Sequence, residues 1–268
     1  MKKTTVVGMI AAAAMLISSA CLIPIYLPDS GDYPPRNEFH QVVALDPGGT
    51  ISLDSSNGDI EIRGWDKNEV EITAEDDWSR AYSRRTWSTG WGGVSGPKIE
   101  VDKIENFVKI RTRISGREDE IRSVHFYLNV PRSVNLRDIR GKVGDILIAD
   151  LYGKVRADLE DGNIKIENFS GSLDLSLGSG TVETEILDLR PDDDIRITVR
   201  EGPVTLFLQP EVNARIEASA INGTVTAEFD LGQPLPAKKV SGLIGAKTEA
   251  AAVSVTALNG NIRLNKVK

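Results

Sequence analysis

Histidines and carboxylates are the side chains of this sequence with the clearest capacity for chemistry, and they are widely spread. Neither His40 nor His125 has a cysteine or a second histidine near it, whereas a zinc site needs clustered nitrogen or sulfur ligands. The three aspartates at 192–194 offer oxygen ligands of the kind that Ca²⁺ prefers. The Gly-Gly-x-Gly-x-Asp repeat of calcium-binding β-rolls does not accompany them. We therefore interpret the run as a solvated corner and predict no metal and no cofactor.

Aromatic and arginine side chains concentrate in residues 78–98, which hold three of the four tryptophans. Flat ring faces suit sugar rings or partner side chains, and guanidinium groups suit carboxylates or phosphates. We favour coverage of an exposed end of the fold, with a ligand or partner contact as the functional alternative and a flexible loop as the third. The candidate contact residues are Trp78, Tyr82, Arg84, Arg85, Trp87 and Trp91.

Glycines recur at every ninth position from Gly144 to Gly180. The second and fourth residues after each glycine are mostly apolar, as in Ile146 and Ile148 or Ile164 and Ile166. Such alternation predicts a short strand with one buried face. Glycine at each corner provides backbone angles that other residues reach only with strain.

The nine-residue units also alternate in pairs, because the next apolar residue is the seventh after the glycine in one unit and the sixth in the following unit. The full repeat is therefore two units long. Later glycines continue this longer period, and their somewhat wider spacing leaves room for insertions at corners. One such coil cannot bury its apolar side alone, so coils must stack. We predict an all-β, single-stranded β-solenoid with coils of about 18–22 residues. Its turn glycines are Gly58, Gly144, Gly153, Gly162, Gly171, Gly180, Gly202, Gly223, Gly242 and Gly260.

Three segments carry a resemblance to a known family: 56–66, 128–131 and 161–166. They resemble the turn-and-strand cells of the bacterial putative-adhesin family, whose function is unknown. The resemblance extends over about residues 40–268. It implies a right-handed parallel β-helix on an exported protein, and it implies no activity and no catalytic residues.

The first residues have the order of a secretory signal peptide. Two lysines precede an apolar run from Val6 to Ile17, and small residues lead to the only cysteine, Cys21. This ending resembles the lipobox of bacterial lipoproteins, which implies lipidation of Cys21; cleavage after Ala20 without lipidation is the alternative. The predicted organisation is a signal peptide at 1–20, a tether at 21–38 and a β-solenoid domain at 39–268. The domain divides into a less regular part at 39–137 and regular coils at 138–268.

The net charge and the cysteine content limit the classes of function that the protein could have. A single cysteine permits no internal disulfide, so an exported fold must be held by packing and backbone pairing. The formal net charge is −7, and −9 without residues 1–20, which argues against nucleic-acid or anionic-membrane binding. We predict a non-enzymatic, adhesin-like binding or scaffolding module of the cell envelope. It would contact an envelope protein or glycan and meet the membrane through its lipid anchor only.

Two other functions stay open. A polysaccharide-active parallel β-helix enzyme would need rows of acidic side chains, but Asp59, Asp145 and Asp161 lie at corners, where Asx turns explain them. The sequence contains no Gly-x-Ser-x-Gly and no Gly-x-x-x-x-Gly-Lys-Ser/Thr motif, so nucleophilic and nucleotide chemistry have no signature. The second alternative is a regulatory partner in envelope-stress sensing.

Overall fold

The structure is a computed structural model that describes residues 38–77, 98–113, 123–245 and 249–267. All regular elements in these ranges are β-strands, which confirms the all-β prediction. None of the described residues belongs to a helix that is long and apolar enough to cross a membrane. Cys21 and the segment 78–97 lie outside the described residues.

The strands in chain order are β1 Glu38–Ala44, β2 Gly49–Asp54, β3 Ile60–Trp65, β4 Glu69–Asp77, β5 Lys98–Ile104, β6 Phe107–Arg113, β7 Ser123–Pro131, β8 Val134–Val143, β9 Ile146–Ala149, β10 Tyr152–Asp161, β11 Ile164–Ser179, β12 Val182–Asp188, β13 Asp194–Glu201, β14 Val204–Leu208, β15 Ala214–Ala220, β16 Val225–Ala227, β17 Lys239–Ile244, β18 Ala251–Asn259 and β19 Ile262–Lys266.

Most strands belong to two parallel ladders. Ladder A runs in spatial order through β7, β3, β9, the first part of β11, β12, β14, β19 and β16. Ladder B runs through β6, β2, β8, β10, the second part of β11, β13, β18 and β15. The strand β11 belongs to both ladders and changes from one to the other near Asn168, whose φ is 50°. We call a rung the two strands, one in each ladder, that a single corner joins.

The sheet ends on both sides in antiparallel strands. An all-parallel β-helix would not contain such strands. At one end β4 pairs with β7, β1 pairs with β4, and β5 pairs with β6. At the other end β17 pairs with β15. The chain that follows β16 also covers this end. Phe229 and Leu231 are buried there, and the Gln233 side chain donates a hydrogen bond of 2.7 Å to the Ser241 carbonyl of β17. These additions cover backbone groups that a terminal rung would otherwise present to solvent.

Alternation along each strand explains why the ladders pack. Successive side chains of a strand point to opposite faces, so every second residue of a rung faces the core. The inward residues of both ladders form one apolar cluster, in which Ile146, Ile164, Val182 and Val204 are neighbours in register and at most 1% exposed. Burial of each such side chain contributes roughly 1.5–3 kcal/mol.

The rungs do not stack in the order of the sequence. In the middle of the sheet they follow the order of the sequence, since Ile146 pairs with Ile164 and Val182 pairs with Val204. Beyond β14, however, the β18–β19 rung lies between the β13–β14 rung and the β15–β16 rung. At the other end the β2–β3 rung likewise lies between β6 and β7 on one side and β8 and β9 on the other. The predicted stacking of coils is present, but at both ends the spatial order of the rungs differs from their order in the sequence.

Gly242 is a second correction. The predicted set of turn glycines includes it, but it lies inside β17, opposite Ile216 of β15 and beside Leu231. The reason is that β17 runs antiparallel to its neighbour and caps ladder B, so this stretch of chain contains no corner of a rung.

Thr184 is a polar residue in an apolar column of ladder A. It lies between Ile166 and Leu206, is 0% exposed, and its hydroxyl has no hydrogen-bond partner within the described part of the chain. A buried hydroxyl without a partner carries its full desolvation cost. Thr184→Val is therefore expected to raise the free energy of unfolding by about 1 kcal/mol, measured by urea denaturation. Thr198→Val, on the exposed face of β13, is the control and should change it little; a loss of stability in Thr184→Val would contradict the prediction.

Candidate functional site

The predicted turn glycines other than Gly242 form two rows along the corners. The first row contains Gly58, Gly144, Gly162, Gly180, Gly202, Gly260 and Gly223 in spatial order. A Cβ added to any of the last six would overlap the carbonyl of the preceding glycine in the row. The second row contains Gly153 and Gly171, with φ of 150° and 123°. Both rows thus serve backbone stacking.

Acidic and amide side chains beside the first row also serve the corners. The Asp59 side chain accepts a hydrogen bond of 2.8 Å from the Asp145 backbone N–H, and the Asp145 side chain accepts one of 2.8 Å from Asn163. The Asn163 side chain accepts one of 3.1 Å from Thr181. Each side chain satisfies a backbone donor of the next rung, whereas the predicted Asx turns would satisfy a donor of the same corner. For Asp161 the Gly144 N–H donates to the backbone carbonyl.

The two histidines each lie beside one carboxylate, His40 on β1 and His125 on β7, with β4 between these two strands. His125 Nδ1 is 3.1 Å from Asp59 Oδ2, at the start of the corner row. His40 Nε2 is 3.2 Å from Glu71 Oε1, and Asn129 donates a hydrogen bond of 2.9 Å to the other oxygen of Glu71. Asn129, and after it His40, hold the pKa of Glu71 below its usual range by hydrogen bonding to the carboxylate. These contacts connect neighbouring strands at the sheet surface.

The aspartate run also makes structural contacts. Asp193 accepts hydrogen bonds from the Arg190 backbone N–H (2.8 Å) and from the Ser172 hydroxyl (3.1 Å). Asp194 pairs with Arg196 at 3.0 Å. In the described ranges no group of three or more His, Cys, Asp or Glu side chains could hold a metal ion.

Ladder A presents mixed charges on its outer face. Lys165 lies 2.7 Å from Glu167 and 3.9 Å from Glu183, and its hydrogen bond to Glu167 raises the pKa of Lys165. These side chains are between a third and a half exposed. Ion pairs in contact with water contribute less than about 1 kcal/mol each. These ion pairs are therefore surface contacts between neighbouring strands of the ladder.

A shallow groove of about 420 Å³ lies beside the hairpin of β5 and β6. Glu105, with φ of 52°, and Asn106 form its turn. The Asn106 side chain accepts a hydrogen bond of 2.9 Å from the Asp46 backbone N–H, which ties the turn to the connection between β1 and β2. Ile104 at the turn is 68% exposed, the largest exposure among the exposed large apolar residues described. The groove is lined by Val101, Asp102, Lys103, Ile104, Phe107, Lys109 and Arg111.

Among the described residues, some charged side chains of the groove form ion pairs and others do not. Arg111 pairs with Asp102 at 2.6 Å and with Glu100 at 3.8 Å. No ion pair of Lys103 or Lys109 occurs within the described ranges, and there the buried Nε of Arg111 has no hydrogen-bond partner. From Lys98 to Arg113 the chain has five basic and three acidic side chains, although the whole chain has a net charge of −7. The hairpin is thus a locally cationic element with an exposed apolar residue at its tip.

The predicted contact residues and the groove are different features. Trp78, Tyr82, Arg84, Arg85, Trp87 and Trp91 lie outside the described residues, as does Cys21. The segment that holds the six contact residues connects β4 to β5, so in sequence it directly precedes the hairpin. Alternating charged and apolar residues at 98–104 were the available signal for the first strand of the hairpin.

A family model matches residues 49–265, which include β2 to β18, the corner rows and the hairpin. The chain belongs to the Toastrack DUF4097 family. No curated protein matches this Toastrack chain.

Solved structures similar to the Toastrack chain come from several bacteria. A putative cell adhesion protein from Clostridium sporogenes has 11% identity and a TM-score of 0.45, over 86% of this chain and 100% of the other. A putative adhesin from Bacteroides fragilis has 10% identity and a TM-score of 0.32, over 86% and 97%. A putative lipid binding protein from Parabacteroides distasonis has 11% identity and a TM-score of 0.25, over 87% and 97%.

Proposed function

We propose that this Toastrack chain is a non-enzymatic, adhesin-like binding or scaffolding module of the cell envelope that contacts an envelope protein or glycan. The groove beside the β5–β6 hairpin carries the proposal. It combines an exposed apolar anchor, Ile104, with the ammonium groups of Lys103 and Lys109. Apolar anchors surrounded by polar groups are typical of binding surfaces. The carboxylates of the corner rows instead form hydrogen bonds that hold the fold.

The proposed scaffold is a single-stranded, right-handed β-solenoid. The register of neighbouring strands, in which Ile146 meets Ile164 and Val182 meets Val204, supports coils of the predicted length. The right hand rests on the general rule that connections between parallel strands of one sheet are right-handed. A rigid support of this kind would hold the hairpin in a fixed orientation.

The proposed location is outside the cytoplasm, with Cys21 as a lipid-modified anchor. In cells fed labelled palmitate, the native chain is expected to incorporate label and Cys21→Ser is expected to lose it completely, because lipidation requires the thiol. A labelled Cys21→Ser chain would exclude this anchor, and an unlabelled native chain would favour cleavage after Ala20.

Binding to isolated envelopes tests the groove. The double variant Lys103→Glu with Lys109→Glu should bind about tenfold more weakly than the native chain, as expected for a loss of about 1.4 kcal/mol. Ile104→Asp should have a similar effect because it removes the apolar anchor. Labelled full-length chains are titrated against envelopes from cells that lack the protein, with and without protease or periodate treatment to separate protein from glycan.

Matched controls lie at the opposite end of ladder B. Lys238→Glu with Lys239→Glu makes the same change of charge on residues remote from the groove, and Leu243→Asp makes the same change as Ile104→Asp at a residue that is 46% exposed. Equal binding by the groove variants and these controls would reject the groove. Trp87→Ala with Trp91→Ala, compared in the same titration, tests the contact that the sequence predicts.

A further inference from the structure

We call the β18–β19 rung the inserted rung. It lies in a slot between two rungs that follow each other directly in the sequence, β13–β14 and β15–β16. β13 and β14 border the slot on one side, and β15 and β16 border it on the other. Residues 209–213 join these borders directly. In register, Val253 of the inserted rung lies between Ile195 and Ile216, and Ile262 lies between Val204 and Val225. The slot therefore fits one rung, that is, two strands joined by a corner, whose alternate residues are apolar.

The inserted rung has the composition of a segment that pairs readily with other chains. Residues 250–262 contain no charged side chain and no proline. Its inward residues in β18 are small, and Ala251, Val253, Val255 and Ala257 are each at most 1% exposed. Charges and prolines are the usual features that keep strands from pairing with a second molecule, and an uncharged segment rich in β-branched residues lacks them.

We infer that the slot of one copy accepts the inserted rung of a second copy, which gives a strand-exchanged dimer. Every backbone and apolar contact of the inserted rung is the same in the dimer as in the monomer, so exchange requires no new surface. The exchanged segment follows β17, which ends at Ile244, and comprises β18 and β19. A second copy is the favoured occupant because its segment matches the slot in length, register and side-chain volume.

Concentration decides between the two forms. A rung on the same chain competes at an effective concentration in the millimolar range, set by the short connection. Exchange therefore needs chains that fold together at comparable local concentration. The slot lies in the part of ladders A and B remote from the β5–β6 hairpin, so the inference does not depend on the groove.

Disulfide trapping tests the exchange. All chains are full length and carry Cys21→Ser, so that no native thiol remains. One chain carries Arg196→Cys and the other carries Ser254→Cys; these residues are register partners on β13 and β18. Adjacent in-register positions have the Cα separation that a disulfide requires. The two chains are unfolded, mixed, refolded together over a range of concentrations and oxidised.

A disulfide-linked dimer of the two chains should increase with concentration. It should exceed at least fivefold the dimer formed by Ser254→Cys with Arg63→Cys, an exposed position on ladder A, as the collision control. The double variant Arg196→Cys/Ser254→Cys in one chain should form an internal disulfide at low concentration, which reports correct folding. Thr198→Cys with Thr256→Cys is a second register pair should the first variants fail to fold. Dimer yields equal to the collision control at every concentration, with internal disulfides intact, would overturn the exchange.

Discussion

Ending the chain at Glu249 should abolish the ordered structure of β15, β16 and β17. These strands join the rest of the sheet through β18 and β19, which lie between them and the β13–β14 rung. The deletion removes Val253, Val255, Ile262 and Leu264 from the core, all at most 1% exposed. At roughly 1.5–3 kcal/mol for each side chain, the loss is on the order of 10 kcal/mol. A loss of that size is comparable with the whole stability of a typical domain.

Limited proteolysis with mass spectrometry measures the effect of this truncation. The truncated chain should be cut rapidly within residues 209–245, whereas a chain that ends at Val267 should resist like the native chain. Addition of a peptide of residues 249–268 should restore protection, because it supplies the missing rung to the slot. Protection of residues 209–245 in the truncated chain without peptide would show that β15–β17 do not need the inserted rung.

Gly180→Ala should produce a large loss of stability although it adds only a single methyl group. Gly180 has φ of 135°, a region that side chains with a Cβ almost never adopt, and its Cβ would overlap the backbone carbonyl of Gly162. Strain at such angles costs about 1–3 kcal/mol, and overpacking adds about 1–3 kcal/mol. We expect a loss of about 4 kcal/mol and a Tm lower by roughly 10 °C, measured by thermal and urea unfolding.

Gly232→Ala is the matched control for the corner. Gly232 also has a positive φ, of 69°, but no atom lies within 4 Å of its added Cβ. This variant should lose only about 1 kcal/mol from backbone strain. The difference between the two variants measures the close contact between neighbouring corners together with the greater backbone strain at the φ of Gly180. Similar losses in both would mean that the corners do not stack closely.

The sequence contains the information for single rungs but not for their order. The alternation at Ile146 and Ile148 or at Ile164 and Ile166 indicates which face of the strand is buried. The glycine at each corner indicates where the strand ends. An inward Val or Ile fits beside any similar rung, so the pattern does not specify which rung is the neighbour. For this reason the insertion of β18–β19 and the place of Gly242 in β17 were not predicted.

The candidate site was harder to predict than the fold. Residues 98–101 and 106–114 are recognisable as strands, but their pairing as a hairpin depends on a turn of Glu105 and Asn106, which lacks the glycine that usually marks such turns. The groove forms only when side chains of both strands are placed in register. The Trp-rich segment lies outside the described residues and stays a prediction.

The order of the rungs determines how the sheet would respond to mechanical load. Tension on the chain that follows Lys266 acts on β19, which is hydrogen-bonded on both sides, to β14 and β16. Tension on the chain that precedes Glu38 acts on β1, whose only pairing within the described residues is with β4. A strand held on both edges must break two rows of hydrogen bonds at once, whereas an outer strand can peel away one bond at a time. Under tension, β1 would yield first, and the rungs around β19 would hold.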